Sequence, residues 1–151
     1  MRVFSGISEL QQYVGKDIGV TDWFEMTQER INAFADATGD HQWIHVDVER
    51  AQHESPYGGP IAHGFLTLSL APKFLWDLYT VEGVKMGVNY GVNRVRFPAP
   101  VPAGSRIRMH AMLQELQEIE GGVQAVMKLT FERAGSDKPV CVAEAVLRWY
   151  I

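Results

Sequence analysis

Two hydrophobic periodicities divide the chain. In the first half, apolar positions recur at three- and four-residue spacing, as on one face of a helix. From Met86 onward the spacing is close to two residues, which is typical of β-strands. We therefore expect helices and loops in the first half and a sheet in the second.

The clearest early helix covers residues 28–38. Thr27 suits its N-cap, because a threonine hydroxyl accepts hydrogen bonds from the free amides of a first turn. Gly39 suits its end, where the chain adopts a left-handed conformation. A strand over residues 17–25 is expected before this helix, and a short helix at Val48–His53 after it.

A long helix is predicted over residues 61–79, after a glycine- and proline-rich loop at Ser55–Pro60. Its apolar residues fall on nearly every side of the helix, which indicates burial. Pro60 suits the first helical position, since its missing N–H costs nothing there. Pro72 should kink the helix or split it.

Four later segments have strand periodicity, and clusters of glycine or proline separate them. They are Val88–Phe97, Arg106–Glu118, Val123–Arg133 and Val140–Tyr150. With the opening strand they give an α+β fold, in which an antiparallel sheet of about five strands wraps around the long helix. The free edge and outer apolar face of such a sheet favour a homodimer.

Composition narrows the class of protein. The 151 residues suit one domain over residues 1–151, and 46% hydrophobic with 21% charged residues is a globular composition. The net charge of −4 argues against a nucleic-acid partner. The single cysteine, Cys141, excludes an internal disulfide. With neither a membrane-spanning stretch nor a signal-like N-terminus, a cytoplasmic protein is expected.

Candidate chemistry lies directly after the first helix. Asp40 and His45 are five residues apart, and Ile44 adjoins the histidine. A carboxylate and an imidazole that converge there could move a proton to and from a bound water. The alternative is structural, because an aspartate after a terminating glycine often caps a turn, and a histidine among apolar residues often serves packing.

Two motifs resemble a known family. Gly39-Asp40 with His45 is followed about twenty residues later by Pro-Ile-Ala-His-Gly at 60–64, and residues 89–101 extend the likeness. The chain resembles the MaoC-like (R)-specific enoyl-CoA hydratase/dehydratase family from about Phe24 to Trp149. That family has the hot-dog fold, an antiparallel sheet wrapped around one long helix.

The resemblance implies a lyase that adds water to trans-2-enoyl-CoA and forms (R)-3-hydroxyacyl-CoA. It implies that Asp40 and His45 are the catalytic pair and that the Gly64 amide polarises the thioester carbonyl. No cofactor is expected, since the CoA thioester is the substrate. Gln42 and Trp43 stand where the family usually has asparagine and proline. Gln42 could still hold a carbonyl or a water.

Secondary candidates carry less weight. His63 suits a structural or hydrogen-bonding role at the helix start. Asn93 and Arg96 are candidate substrate contacts on a strand, and Arg96, Arg106 and Arg108 could pair with CoA phosphates or be ordinary solvated residues. No metal is expected, because no cluster has metal-ligand spacing along the sequence.

Two other functions remain open. An acyl-CoA thioesterase of the same fold usually needs an acid on the central helix, and Gly64–Lys73 contains none. A non-catalytic acyl-CoA-binding domain is the other alternative. The presence of both Asp40 and His45 counts against it.

Overall fold

The computed structural model describes residues 1–151, with eight strands and six helices. In chain order they are β1 (Arg2–Phe4), α1 (Ile7–Gln11), β2 (Lys16–Val20), β3 (Phe24–Glu25), α2 (Gln28–Thr38), α3 (Trp43–Val46), α4 (Val48–Glu54), α5 (Gly64–Ser69), α6 (Ala71–Leu78), β4 (Tyr79–Val81), β5 (Met86–Arg96), β6 (Arg106–Ile119), β7 (Gly122–Arg133) and β8 (Cys141–Tyr150).

Six strands form one antiparallel sheet in the order β2-β6-β7-β8-β5, with β3 also paired to β6. The prediction of an α+β fold built on an antiparallel sheet is confirmed. The count of about five strands was low, because the expected strand over residues 17–25 is two strands. Thr21 lies between them, and its hydroxyl accepts from the Met109 amide at 3.0 Å. A separate parallel pair, β1 with β4, was not expected.

Helices α5 and α6 contribute to the main hydrophobic core. Leu66, Leu70 and Phe74 lie in one buried cluster with residues of β6, β7 and β8. Alternate residues of β7 and β8 are buried, which is the two-residue periodicity expected of strands with one face on a core. The helical segment therefore lies against the sheet, as the sequence predicted.

The predicted helix over residues 61–79 needs correction at its start and in its middle. It begins at Gly64, because the amides of Ile61 and Ala62 donate to the carbonyls of Ile44 and Val101 instead of standing free at a helix start. It divides at Leu70, and Pro72 lies in the first turn of α6, where no amide is needed.

Helix α2 matches its prediction. Thr27 Oγ1 accepts from the Arg30 amide at 3.1 Å, and Gly39 ends the helix with φ of 80°. Since only glycine adopts that conformation without strain, the direction in which the chain leaves α2 is fixed locally. The short helix α4 extends one residue beyond the predicted Val48–His53.

Strand β5 forms one edge of the sheet, and almost all its residues are exposed. Its apolar side chains Met86, Val88, Tyr90 and Val92 are in contact with solvent. On the helices, Phe65 is 71% exposed and Trp76 is 78% exposed. Together they make an extensive apolar surface. No helix has the length and apolar character that a membrane crossing requires.

Candidate functional site

The turn after α2 places Asp40. Its Oδ1 accepts from the backbone amide of Gln42 at 3.3 Å, so the carboxylate is held near its own main chain. The side chain is 53% exposed. The Gln42 carbonyl then accepts from the His45 amide at 3.0 Å and starts the short helix α3. One short segment therefore positions both residues, since Asp40 lies in the turn and His45 lies in the helix that follows it.

Long-range backbone contacts fix His45. The Ile61 amide donates to the Ile44 carbonyl at 3.0 Å, and the imidazole Nδ1 of His45 is 2.6 Å from the Ile61 carbonyl. Gln28 Nε2 donates to the His45 carbonyl at 2.7 Å. Because a carbonyl only accepts, Nδ1 carries the proton and Nε2 of the neutral ring keeps a free lone pair. This tautomer is the one that a general base requires.

His63 completes a cluster. Its ring stacks on His45 with centroids 3.8 Å apart and planes 25° from parallel. Its Nε2 donates to the backbone carbonyl of Asp40 at 3.0 Å, and Asp40 Oδ2 is 3.9 Å away. One ligand-type atom from each of Asp40, His45 and His63 lies within 4.8 Å of the others. The structure therefore brings the predicted pair together and adds a third residue.

The surroundings of His45 lower its pKa from the ordinary value of 6.5. Burial is the largest cause, since it disfavours the charged ring, and the nearby His63 lowers the pKa further. The Ile61 carbonyl and the Asp40 carboxylate oppose that shift. The net direction favours a neutral imidazole at neutral pH.

His63 contains an unusual buried atom. The side chain is 3% exposed, and Nδ1 finds no hydrogen-bond partner among the protein's groups. With Nε2 donating to Asp40, Nδ1 is an unprotonated acceptor. A buried polar group left unpaired typically costs about 1–3 kcal/mol. The residue therefore weakens the fold at one atom while holding Asp40 through another.

A cavity of about 320 Å³ opens beside Gly64. Tyr57, Thr67 and Phe97 contribute to its largely apolar lining. The Phe97 ring lies so close to Gly64 that an added Cβ would be 3.0 Å from it. Asp40 and His45 do not line this cavity, but it includes Ile61, whose carbonyl holds His45. Cavity and proton-transfer groups are therefore neighbours that share one backbone segment.

Comparison with known proteins fits this geometry. Residues 9–133 match the family model described as MaoC like domain. The chain belongs to that family. The resemblance carried by the two motifs is thereby confirmed, and so is the hot-dog fold.

Two curated relatives illustrate the family. The 3-hydroxyacyl-thioester dehydratase Z of Mycobacterium tuberculosis strain H37Rv is 52% identical over 150 residues, which cover 99% of each chain. Nodulation protein N of Rhizobium leguminosarum is 41% identical over 140 residues, covering 91% of this chain and 86% of the relative. With the family membership, the first relative confirms a hydro-lyase with dehydratase/hydratase activity.

Solved structures show the same fold. The monoamine oxidase regulatory protein from Archaeoglobus fulgidus superposes with a TM-score of 0.78 at 28% identity, covering 99% of this chain and 97% of the other. The R-hydratase PhaJ1 from Pseudomonas aeruginosa gives 0.73 at 20% identity, covering 91% and 81%. The second likeness supports the architecture alone.

The remaining predicted residues lie elsewhere. The Gln42 side chain is exposed, and Asn93 lies on β5 where the pairing with β8 shifts register. Arg96 donates to the Val95 carbonyl at 3.0 Å, at the end of the strand that precedes Phe97. Arg108 pairs with Glu132.

The candidate arginines do not form one group. Arg106 and Arg108 both lie over the Trp23 ring, at 5.7 and 4.3 Å from its centroid. They start β6, whereas Arg96 ends β5, and two strands separate β6 from β5 in the sheet. At the usual strand spacing that is a distance of about 14 Å. Arg96 and the two β6 arginines therefore belong to different regions of the surface.

Asp40, His45 and His63 are also the residues that could hold a metal ion. Spacing along the sequence does not reveal this cluster, because it gives no sign that His63 folds back onto His45. The expectation that no metal is bound stays a prediction. The geometry suits proton transfer better than coordination. The two rings are stacked only 25° from parallel, so the lone pairs that lie in their planes do not converge on one point.

Proposed function

We propose that this chain, acting as a single domain over residues 1–151, catalyses the reversible (R)-specific hydration of trans-2-enoyl-CoA to (R)-3-hydroxyacyl-CoA. The observation that carries the proposal is that Asp40 and His45 offer atoms within 4.8 Å of each other, beside the segment Ile61–Gly64 that lines the cavity. The name of the Mycobacterium tuberculosis relative points to the same chemistry, written in the dehydration direction.

In hydration, one water lies between the Asp40 carboxylate and His45 Nε2. Nε2 takes a proton from this water while its oxygen bonds to C3 of the enoyl group, and the C2–C3 double bond electrons move toward the thioester carbonyl. The imidazolium then returns that proton to C2 on the same face. Asp40 orients the water and stabilises the transient positive charge on His45. General acid–base catalysis of this kind contributes typically about 10²–10⁴-fold.

The Gly64 amide is proposed as the donor to the thioester oxygen. It stands at the start of α5, where the first amides have no partner within the helix. Because α5 has only six residues, the amide itself matters more than a helix dipole. The 320 Å³ cavity would take the acyl chain next to that amide. Asn93, Gln42 and Arg96 stay secondary candidates for substrate contacts, and no cofactor enters these steps.

We also propose that two copies pair through β5. Its free edge and exposed apolar side chains need a cover, and it leads directly to Phe97, which packs on Gly64. A second copy there would lie beside the site. Two structural neighbours from Mycobacterium tuberculosis are described as complexes, ChsH1-ChsH2 and HadBC, so a different partner chain is the competing arrangement. Light scattering on the purified chain separates these outcomes, with a dimeric mass expected. A cytoplasmic location stays a prediction.

The function is tested by mixing the protein with crotonyl-CoA and following loss of the enoyl thioester absorbance, with chiral analysis of the product. The wild type should form the (R)-3-hydroxy product without releasing free CoA thiol. His45→Asn and Asp40→Asn should each lose about 10²-fold or more in kcat, because the first removes the group that moves the proton and the second removes the charge that orients the water and stabilises the imidazolium. Thiol release without hydration would instead identify a thioesterase. Near wild-type rates in either variant would contradict the assignment.

A further inference from the structure

His63 is the one buried titratable residue in the cluster that the proposed reaction does not use. It touches the main chain of Asp40, the ring of His45 and, through the peptide bond, the amide of Gly64. We propose that His63 is a positioning residue, which sets Asp40 and His45 at the separation that proton transfer through one water requires. This inference rests on the proposed function.

The first step of the argument is the contact with Asp40. His63 Nε2 donates to the Asp40 carbonyl at 3.0 Å, across 23 residues of sequence. Asp40 follows Gly39 on an exposed turn, and its own carboxylate bonds only within that turn, to the Gln42 amide. The His63 hydrogen bond therefore ties this turn to the buried segment beside the cavity. Without it, the carboxylate would keep its local turn but lose its fixed distance from His45.

The second step is the contact with His45. The two rings stack at 3.8 Å, and Phe34 packs on His63 with ring centroids 4.8 Å apart. The Ile61 carbonyl holds the His45 ring at Nδ1, but the ring could still rotate about that hydrogen bond. Stacking on His63 restricts it. Nε2 is thereby kept in one direction.

The third step is the unpaired Nδ1 of His63. An apolar ring of similar size would fill the same buried space without an unsatisfied acceptor, so stability alone does not account for a histidine here. What the histidine adds over such a ring is the Nε2–H donor to Asp40. The same residue also begins the segment whose next amide, that of Gly64, is the proposed thioester donor.

The test compares two substitutions with different losses. His63→Phe keeps a ring to stack on His45 but removes the donor, and His63→Gln keeps a donor at similar reach but removes the ring. We expect His63→Phe to lower kcat about 10- to 100-fold with KM little changed, since small displacements of catalytic groups are costly. His63→Gln should recover part of that loss. Equal kcat values in the wild type and His63→Phe would overturn the inference.

A control separates positioning from general destabilisation. Phe131→Leu removes buried core volume on β7, where the ring packs on Phe74, and should lower the melting temperature while leaving kcat near the wild-type value. If Phe131→Leu and His63→Phe lower kcat alike at equal loss of melting temperature, His63 has only a structural role. Should His63→Phe fail to fold, His63→Gln carries the test, and it must still lose kcat without loss of substrate affinity.

An NMR titration of His45 gives a readout independent of turnover. Besides burial and the Ile61 carbonyl, the groups acting on the His45 pKa are His63, which lowers it, and Asp40, which raises it. His63→Phe removes the first and loosens the second, and we expect the His45 pKa to differ from that of the wild type. If His45→Asn is inactive but His63→Phe leaves both kcat and the His45 titration unchanged, only the positioning role fails. If His45→Asn is active, the proposed function fails, and the titration still tests the contact.

Discussion

The two ends of the α5–α6 segment both adjoin a cavity, but only the Gly64 end brings two buried or half-exposed kinds of group, imidazole and carboxylate, together. At the Gly64 end, a buried pair of histidines is held by backbone carbonyls next to a carboxylate. At the far end, a cavity of about 260 Å³ is lined by residues such as Tyr79, Val81 and Trp149, with no carboxylate or imidazole. Tyr79 is its buried titratable group, and burial raises the Tyr79 pKa above its ordinary value, so the phenol stays protonated.

This difference shows what makes one cavity a candidate for catalysis. Size does not distinguish these two cavities, since their volumes are similar. The distinguishing feature is the backbone contact between Ile44 and Ile61, which brings the turn after α2 onto the start of α5. That contact brings the His45 and His63 imidazoles and the Asp40 carboxylate together. The far end has packing but no such convergence.

The largest expected effect comes from adding one methyl group at each end. In Gly64→Ala the new Cβ would meet the Phe97 ring at 3.0 Å, and in Gly87→Ala it would meet Trp149 Cδ1 at 3.2 Å. We expect Gly64→Ala to lower kcat/KM about 10²-fold, because the proposed donor amide must shift. Gly87→Ala should destabilise by about 1 kcal/mol with kcat/KM near wild type. Steady-state kinetics and thermal melts decide, and equal kinetic losses would remove the distinction between the ends.

The pH dependence of activity sharpens the comparison at the Gly64 end. His45 acts as a base only when neutral, and burial lowers its pKa below 6.5. The rate of hydration should therefore stay on its plateau as pH falls to 6.5 and decline only below it, about tenfold per further pH unit below that pKa. A profile of kcat/KM against pH measures this. An acidic limb centred above 6.5 would contradict a buried, neutral His45.

The same shift makes stability depend on pH. Because the folded pKa of His45 lies below the unfolded value, the unfolded chain binds more protons in the window between them. The contribution of His45 to stability is therefore fully present above pH 6.5 and is lost as pH falls through the folded pKa. If His45 is the responsible group, denaturant melts should show a stability difference between the wild type and His45→Asn that is constant above pH 6.5 and changes as the pH falls below it.

Much of the fold follows from local signals, and most of the site geometry does not. Helix α2 has the predicted bounds because Thr27 and Gly39 determine its ends within a few residues. The start of α5 was misplaced because the contacts that hold Ile61 and Ala62 extended come from distant residues. A structural or hydrogen-bonding role is predicted for His63, but its partners are not. Its sequence neighbours give no sign that it stacks on His45 or bonds to Asp40.

A smaller effect is expected at the far end. Tyr79→Phe removes a buried hydroxyl that stays protonated and takes no part in the proposed reaction. We expect kcat and KM for crotonyl-CoA to remain near wild type, with a change in stability of about 1 kcal/mol or less. Steady-state kinetics with a parallel melt test this. A large fall in kcat would mean that chemistry also takes place at the cavity that Tyr79 lines.

The smallest expected effect is that of removing metal ions. Asp40, His45 and His63 are close enough to offer three ligands, yet the two imidazole rings are stacked nearly parallel, so the lone pairs in their planes do not converge on one point. Dialysis against a chelator should therefore leave turnover of crotonyl-CoA unchanged, and activity should need no added divalent cation. The opposite result would be a loss of activity on chelation that added Zn²⁺ restores in the wild type but not in His63→Gln. It would show that the cluster coordinates a metal and that the His45 lone pair is not the base.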